Sequence, residues 1–328
     1  MQSLVNMRGG RGSRRATVLS VYYPCERSFR IAIMMGHEQA VTAEAGPTSR
    51  FFEGNGLRLH YLDWGGDAAR RTFVLLHGGA AHAHWWDYVA PMLVPYGHVI
   101  ALDFRGHGRS QWSTPPHYGP AAYVKDVGAL IETLATRVVL VGHSMGGAVA
   151  QWCALMLADG IEALVIVDAP HGPPPLWRRL QWRWRRRAQG GKRPELKSSA
   201  DIIRKFRLSP PGTYLTKERM EELALKGAEQ LPNGNWAFRF DPETRSWRKT
   251  ETPLGRPNLR RITMPTLILR GAESELVSRR LARRMKRRIP VSEYREIPRA
   301  FHHVPLDNPE ATANAIIEFV EGLGARRG

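Results

Sequence analysis

Residues 138–147 constrain the fold of this 328-residue chain more than any other stretch. Val138-Val139-Leu140-Val141 is a run of branched apolar residues of the length and type of a buried strand. It passes without a linker into Gly142-His143-Ser144-Met145-Gly146-Gly147, and then into small and apolar residues at helical spacing to about Ala158. Strand and helix can be joined this abruptly only by a tight turn that lifts Ser144 clear of the backbone. The flanking glycines fit that geometry, because a side chain there would meet the adjoining strand and helix. The helix start behind Ser144 favours developing negative charge. Ser144 is therefore a candidate nucleophile. A plain N-cap serine is the alternative.

Around this element the chain alternates regularly. Arg50–Phe52 and Leu57–Asp63 form a predicted hairpin about Gly54-Asn55-Gly56. Predicted strands follow at Phe73–Leu76, Val99–Leu102, Ala163–Val167, Thr266–Leu269 and Glu293–Ile297. Predicted helices occupy 84–95, Ala121–Leu134, Ser278–Arg288 and Glu310–Leu323. Such alternation implies a mostly parallel sheet covered on both faces, with its site at the carboxyl ends of the strands. Residues 171–260 break the rhythm, with Pro173-Pro174-Pro175 and many Trp and Arg. They read as an insertion, a lid over those strand ends. The expected division is a basic extension over 1–49, a core of 50–170 and 261–328, and a lid over 171–260.

The remaining groups for acyl chemistry have expected places. The turn His77-Gly78-Gly79-Ala80 can aim a backbone N–H at an oxyanion, with Gly79 the first choice and Ala80 the second. Met145, just after the candidate nucleophile, supplies the other amide. A base is expected late in the chain, where His302 and His303 both fit. An acid is expected after the Thr266–Leu269 strand, where Glu273 and Glu275 stand, with Asp168 as rival at the end of the preceding strand.

Taken together, Leu76-His77-Gly78-Gly79, the segment from Asp103 to Ser110, Val141 to Gly147, Leu269-Arg270-Gly271 and Leu306-Asp307-Asn308-Pro309 resemble the α/β-hydrolase superfamily. The resemblance is to its lid-bearing serine esterase and lipase-like branch. It implies an eight-stranded, mostly parallel sheet with helices on both faces and an inserted helical lid. It assigns the base to His302 by counting back from Leu306-Asp307, and the acid to Glu275 by counting on from Gly271. The Asp103–Ser110 segment is expected to shape a loop beside the site. The implied reaction is hydrolysis of a carboxylic ester through an acyl-enzyme on Ser144, with no cofactor and no metal. The same triad in relatives also serves C–C, lactone or amide hydrolysis, and a hydrolase-like small-ligand receptor is the non-enzymatic alternative. Family members that open epoxides or remove halides generally use Asp as nucleophile, which Ser144 argues against.

His143, Trp182, Phe206 and Leu208 are expected to line a pocket for a small-molecule substrate with an apolar acyl or aromatic part. Trp177 to Arg187 interleaves Trp and Arg, and as a helix it places Trp177, Leu180 and Trp184 on one lid face. The formal charge is +18, but the chain carries no nucleic-acid fold signature, so no nucleic-acid partner is expected. The basic run Arg279–Arg288 reads as a solvated face with Leu281 and Met285 turned inward. No transmembrane run is present. Two cysteines, Cys25 and Cys153, make no disulfide framework, which points to the cytoplasm. The apolar stretch Ala16–Pro24 is a poor match to a leader, since Ser20, Tyr22 and Tyr23 interrupt it.

Overall fold

The computed structural model describes residues 46–171, 193–246 and 257–325, and a separate antiparallel pair, Ser20–Val21 with Phe29–Arg30. Eight strands build the main sheet: β1 Thr48–Gly54, β2 Leu57–Gly65, β3 Thr72–Leu76, β4 His98–Leu102, β5 Val138–His143, β6 Ile161–Val167, β7 Thr266–Gly271 and β8 Ser292–Ile297. Their order is β8-β7-β6-β5-β3-β4-β2-β1. All neighbours from β8 to β4 are parallel, and β2 pairs antiparallel with both β4 and β1.

Parallel strands are connected by crossovers that cover both faces, so both faces must be apolar. Val74, Leu76, Val138 and Leu140 point into one core layer. Phe73, Leu75, Val139 and Val141 point into the other. The first layer is closed by α1 (Pro120–Leu134), α2 (Met145–Met156) and α5 (Arg279–Arg288), through residues such as Val127, Val149 and Met285. The second is closed by α6 (Pro309–Ala325) and the turns of 83–96, through Ile316, Phe319, Trp86 and Leu93. α1 starts with Pro120 in its first turn and stops at Ala135, whose φ of 50° ends the helical path.

Three expectations shift. The first strand begins at Thr48, inside the expected extension. The expected helix over 84–95 is instead a chain of short turns, Ala83–Trp86, Ala90–Leu93 and Val94–Tyr96. Pro91 and Pro95 account for this, since neither offers an N–H to continue a helix and each crowds the turn before it. The described part of the 171–260 insertion holds α3 (Ser199–Lys205), α4 (Lys217–Lys226) and a two-stranded antiparallel ribbon, Ala228–Gln230 with Trp236–Phe238. Ser198 and Thr216 cap the two helices by accepting from Asp201 N–H and Arg219 N–H. The expected helix of Trp177 to Arg187 lies outside the described residues. No helix among the described residues is long and apolar enough to cross a membrane.

Candidate active site

Strand register brings the candidate groups together. Leu76 pairs with Gly142, His143 with Val167, Val167 with Leu269, and Gly271 with Ile297. The carboxyl ends of five parallel strands therefore lie side by side, and the residues just beyond them converge. Ser144 is the first residue past β5, and Asp168 the first past β6. Each has a left-handed backbone, with φ of 53° and 42°. Non-glycine residues are uncommon there, and such strain persists only where the surroundings enforce it. At Ser144 the glycines permit the turn: a Cβ on Gly142 would lie 2.5 Å from the Gly146 carbonyl oxygen, and one on Gly146 2.5 Å from that of Leu76.

The Ser144 hydroxyl donates to His302 Nε2 at 2.9 Å. His302 Nδ1–H donates to Asp168 Oδ2 at 2.7 Å. The carboxylate on Nδ1 fixes the tautomer and leaves Nε2 as the proton acceptor. Asp168 also accepts from the Ser274 hydroxyl at 2.6 Å and from Gly271 N–H at 3.2 Å. His302 and Asp168 are 3% and 1% exposed. Burial pushes the Asp168 carboxyl up to about 7, against the opposing hydrogen bonds from Ser274 and Gly271 and the charge of Arg270. Arg270 braces the loop after β7 by donating to the carbonyls of Ala272 and Ser274. Gly271 allows the histidine loop to approach, since a Cβ there would lie 2.0 Å from the Phe301 carbonyl oxygen.

Glu275, expected to orient the base, does not reach it. Its side chain is exposed, as is that of Glu273, which accepts from Tyr214 Oη–H at 2.7 Å. The physical reason is the position of Asp168, which already occupies His302 Nδ1 from the neighbouring strand. The loop after β7 contributes Ser274 instead, a residue the sequence reading passed over. The Arg270-Gly271 pair was the available signal, because it marks a loop held against the histidine segment.

His303 is turned away from Ser144: its Nε2–H donates to the Pro210 carbonyl at 2.8 Å. His143 is buried and donates from Nε2 to the His302 carbonyl at 2.8 Å, holding the loop that carries His302. Burial, with His302 and His303 nearby, holds the His143 imidazole neutral. One ring nitrogen each of His143, His302 and His303 lies within 4.8 Å of the others, the sole such metal-ligand grouping among the described residues. Both nitrogens of His302 are engaged by Ser144 and Asp168, so a metal there would compete with that chain of hydrogen bonds.

Gly79 and Met145 are neighbours, since a Cβ on Gly79 would lie 3.9 Å from Met145 Cβ. Ala80 N–H donates to His107 Nε2 at 3.2 Å. It is thereby occupied, whereas among the described residues no acceptor takes the Gly79 or Met145 N–H. His107 is held neutral by burial, its value pushed down to about 3. Asp103 braces the same region, accepting from Ala83 N–H at 2.7 Å, Arg109 N–H at 2.9 Å and His60 Nδ1–H at 2.7 Å.

Of the expected pocket residues, Leu208 packs with Ala81, Trp85, Leu215, Leu223 and Leu306, and Phe206 packs against that cluster. Trp182 lies outside the described residues. The inserted segment is pinned beside the base: Asp307 accepts from Phe301 N–H at 2.8 Å, Thr213 Oγ1–H at 2.5 Å and Tyr214 N–H at 2.8 Å.

An eight-stranded sheet with this order, and a serine hydroxyl at a strand-to-helix turn under an imidazole, define a class of protein. The chain belongs to the alpha/beta hydrolase family, whose family model matches residues 73–315. It is 28% identical to an esterase of Mycobacterium tuberculosis over 80% of this chain and 85% of that protein. It is 27% identical to epoxide hydrolase A of the same organism, over 85% of this chain and 99% of the relative. Among solved structures, that of E-2-(acetamidomethylene)succinate hydrolase is alike in fold, with a TM-score of 0.71 and 24% identity over 84% of this chain and 99% of the other.

Proposed function

We propose that the protein hydrolyses carboxylic esters of small molecules through an acyl-enzyme on Ser144. The observation that carries this reading is the continuous hydrogen-bonded chain from Ser144 Oγ through His302 to Asp168. His302 Nε2 takes the hydroxyl proton as Ser144 Oγ attacks the carbonyl carbon. The tetrahedral oxyanion is held by Gly79 N–H and Met145 N–H, at the start of α2, where the helix dipole adds to the stabilisation. His302 then returns the proton to the departing alkoxide, and the alcohol leaves. A water, deprotonated by His302, attacks the acyl carbon and releases the acid. Asp168 holds the imidazole and stabilises its charged form. The 206–223 segment acts as part of a lid over the acyl pocket. The similarity to an esterase supports the ester as substrate, and a serine in the nucleophile position is consistent with acyl transfer rather than epoxide opening.

The test is stoichiometric modification. A fluorophosphonate probe is expected to add once, at Ser144, and to abolish hydrolysis of p-nitrophenyl butyrate in proportion to labelling. Turnover that survives complete labelling, or labelling elsewhere with Ser144 unmodified, would overturn the proposal.

The raised Asp168 value sets a pH dependence. The base accepts a proton only when the Asp168–His302 pair holds one proton rather than two, so kcat/KM should be present above about 7 and lost as pH falls through it. The Ser274 hydroxyl favours the ionised carboxylate. A hydrogen bond to a charged group contributes about 1.5–3 kcal/mol, which is about one to two pH units. Ser274→Ala should therefore move the acid limb of the kcat/KM profile upward by about one unit, with activity regained at alkaline pH. A profile lowered equally at all pH values would mean that Ser274 acts only on structure.

A further inference from the structure

Among the described residues, a cleft apart from the Ser144 site combines positive charge and apolar surface. It has a volume of about 530 Å3 and runs between α5 and the segment around Leu259. Arg260, Arg284 and Arg288 line it together with His171, Leu281 and Met285. Leu281, Arg284 and Arg288 are spaced i, i+3 and i+7, so one helical face presents both guanidinium groups and the half-buried Leu281, while Met285 of the same stripe is turned into the core. Arg283, Arg284 and Arg287 are exposed, in keeping with a solvated basic face, and Arg288 is half-buried. The nearby carboxylate, Glu296, is taken by Arg279 and Arg270. Among the described residues no carboxylate pairs with Arg260, Arg284 or Arg288. Three like charges around a concave, partly apolar space raise the local potential and leave their donors for an external anion.

We propose that this cleft binds an alkyl phosphate monoester, its phosphate held by Arg260, Arg284 and Arg288 and its chain laid on Leu281. Guanidinium donors match phosphate oxygens in pairs, and a dianion answers three cations better than a single carboxylate does. The volume is that of a small-molecule site. The cleft is also joined to the catalytic elements. His171 is the third residue beyond Asp168, and its Nδ1–H donates to Gln151 Oε1 at 3.0 Å. Gln151 lies seven residues along α2 from Ser144, or ~10 Å at the helical rise. The phosphate group is thus either the remote end of an ester whose acyl carbon lies at Ser144 or a separate amphiphile.

The test is calorimetric titration of the full-length protein with octyl phosphate below its micellar concentration, with inorganic phosphate, and with octanol. One octyl phosphate is expected to bind per chain, at least about tenfold more tightly than either fragment, because the two parts of the cleft act together. Arg284→Gln with Arg288→Gln, on a helix face that tolerates glutamine, should weaken octyl phosphate by about 30-fold or more, since two charge-assisted contacts are lost. Equal affinity in the variant, or octanol binding as tightly as octyl phosphate, overturns the proposal. The source is read from kinetics: a fall in kcat/KM for a phosphate-bearing ester relative to p-nitrophenyl butyrate identifies the substrate's own phosphate, and an unaltered ratio identifies a separate ligand. The titration does not depend on turnover, so it can fail while Ser144 chemistry stands.

Discussion

Ser144→Ala is expected to lower kcat for p-nitrophenyl butyrate by about a million-fold, leaving only the rate that oxyanion stabilisation and binding supply to water attack. The magnitude follows from the kind of step removed. Without Oγ no acyl-enzyme forms, and His302, although still held by Asp168, has no nucleophile to deprotonate. The fold should be intact: the turn depends on Gly142, Gly146 and the Ser144 amide, which donates to the Val167 carbonyl at 3.0 Å, and none of these needs the hydroxyl. An unchanged circular dichroism spectrum and melting temperature would separate lost chemistry from lost structure. A loss of less than about a hundredfold would mean that another group or a bound water attacks the ester, and would remove Ser144 from the mechanism.

The second large effect distinguishes the acids. Asp168→Asn should reduce kcat/KM by about 10³- to 10⁴-fold, because an amide on Nδ1 no longer fixes the imidazole with its lone pair on Nε2 and cannot stabilise the imidazolium. Glu275→Gln should leave kcat/KM within about twofold, since an exposed side chain that makes no contact with the imidazole changes the barrier little. The reverse ranking would restore Glu275 as the acid. Stability should move the other way at Asp168. Burial raises its carboxyl to about 7 from the ordinary carboxylate value of 3.8, so the folded chain holds the proton more tightly. That contribution is fully present below about 3.8 and is lost as pH rises through 7. The Asn variant lacks it. Its melting temperature relative to the wild type should therefore rise between pH 5 and pH 8, although catalysis has been lost.

Much of this site could be read from local sequence because its geometry is local. Val138 to Gly147 writes strand, turn and helix in ten residues, and the position of Ser144 at the head of the helix follows from that turn. The His107 contact that occupies the Ala80 amide is not legible in the turn His77 to Ala80 itself. The acid was harder to place because two strand ends compete for one imidazole, and sequence order alone does not say which lies nearer. Asp168 lies 134 residues from His302, and only the pairing of β6 with β7 brings it under the ring. Ser274 escaped notice for a related reason: a serine in an acidic loop carries no signal until the carboxylate it faces is known. The turns of 83–96 followed apolar spacing that suits a helix, but Pro91 and Pro95 outweighed it.

The contacts of Asp307 join the insertion to the site. Ser144 and Asp168 extend from adjacent strands and are tied through the Val167 carbonyl, so both are fixed to one ladder. His302 follows Phe301, whose amide is held by the same carboxylate that holds Thr213 and Tyr214 of the insertion, while Asp168, His143 and Glu273 tie that loop to the sheet. Asp307 thereby couples the insertion to the loop that carries His302.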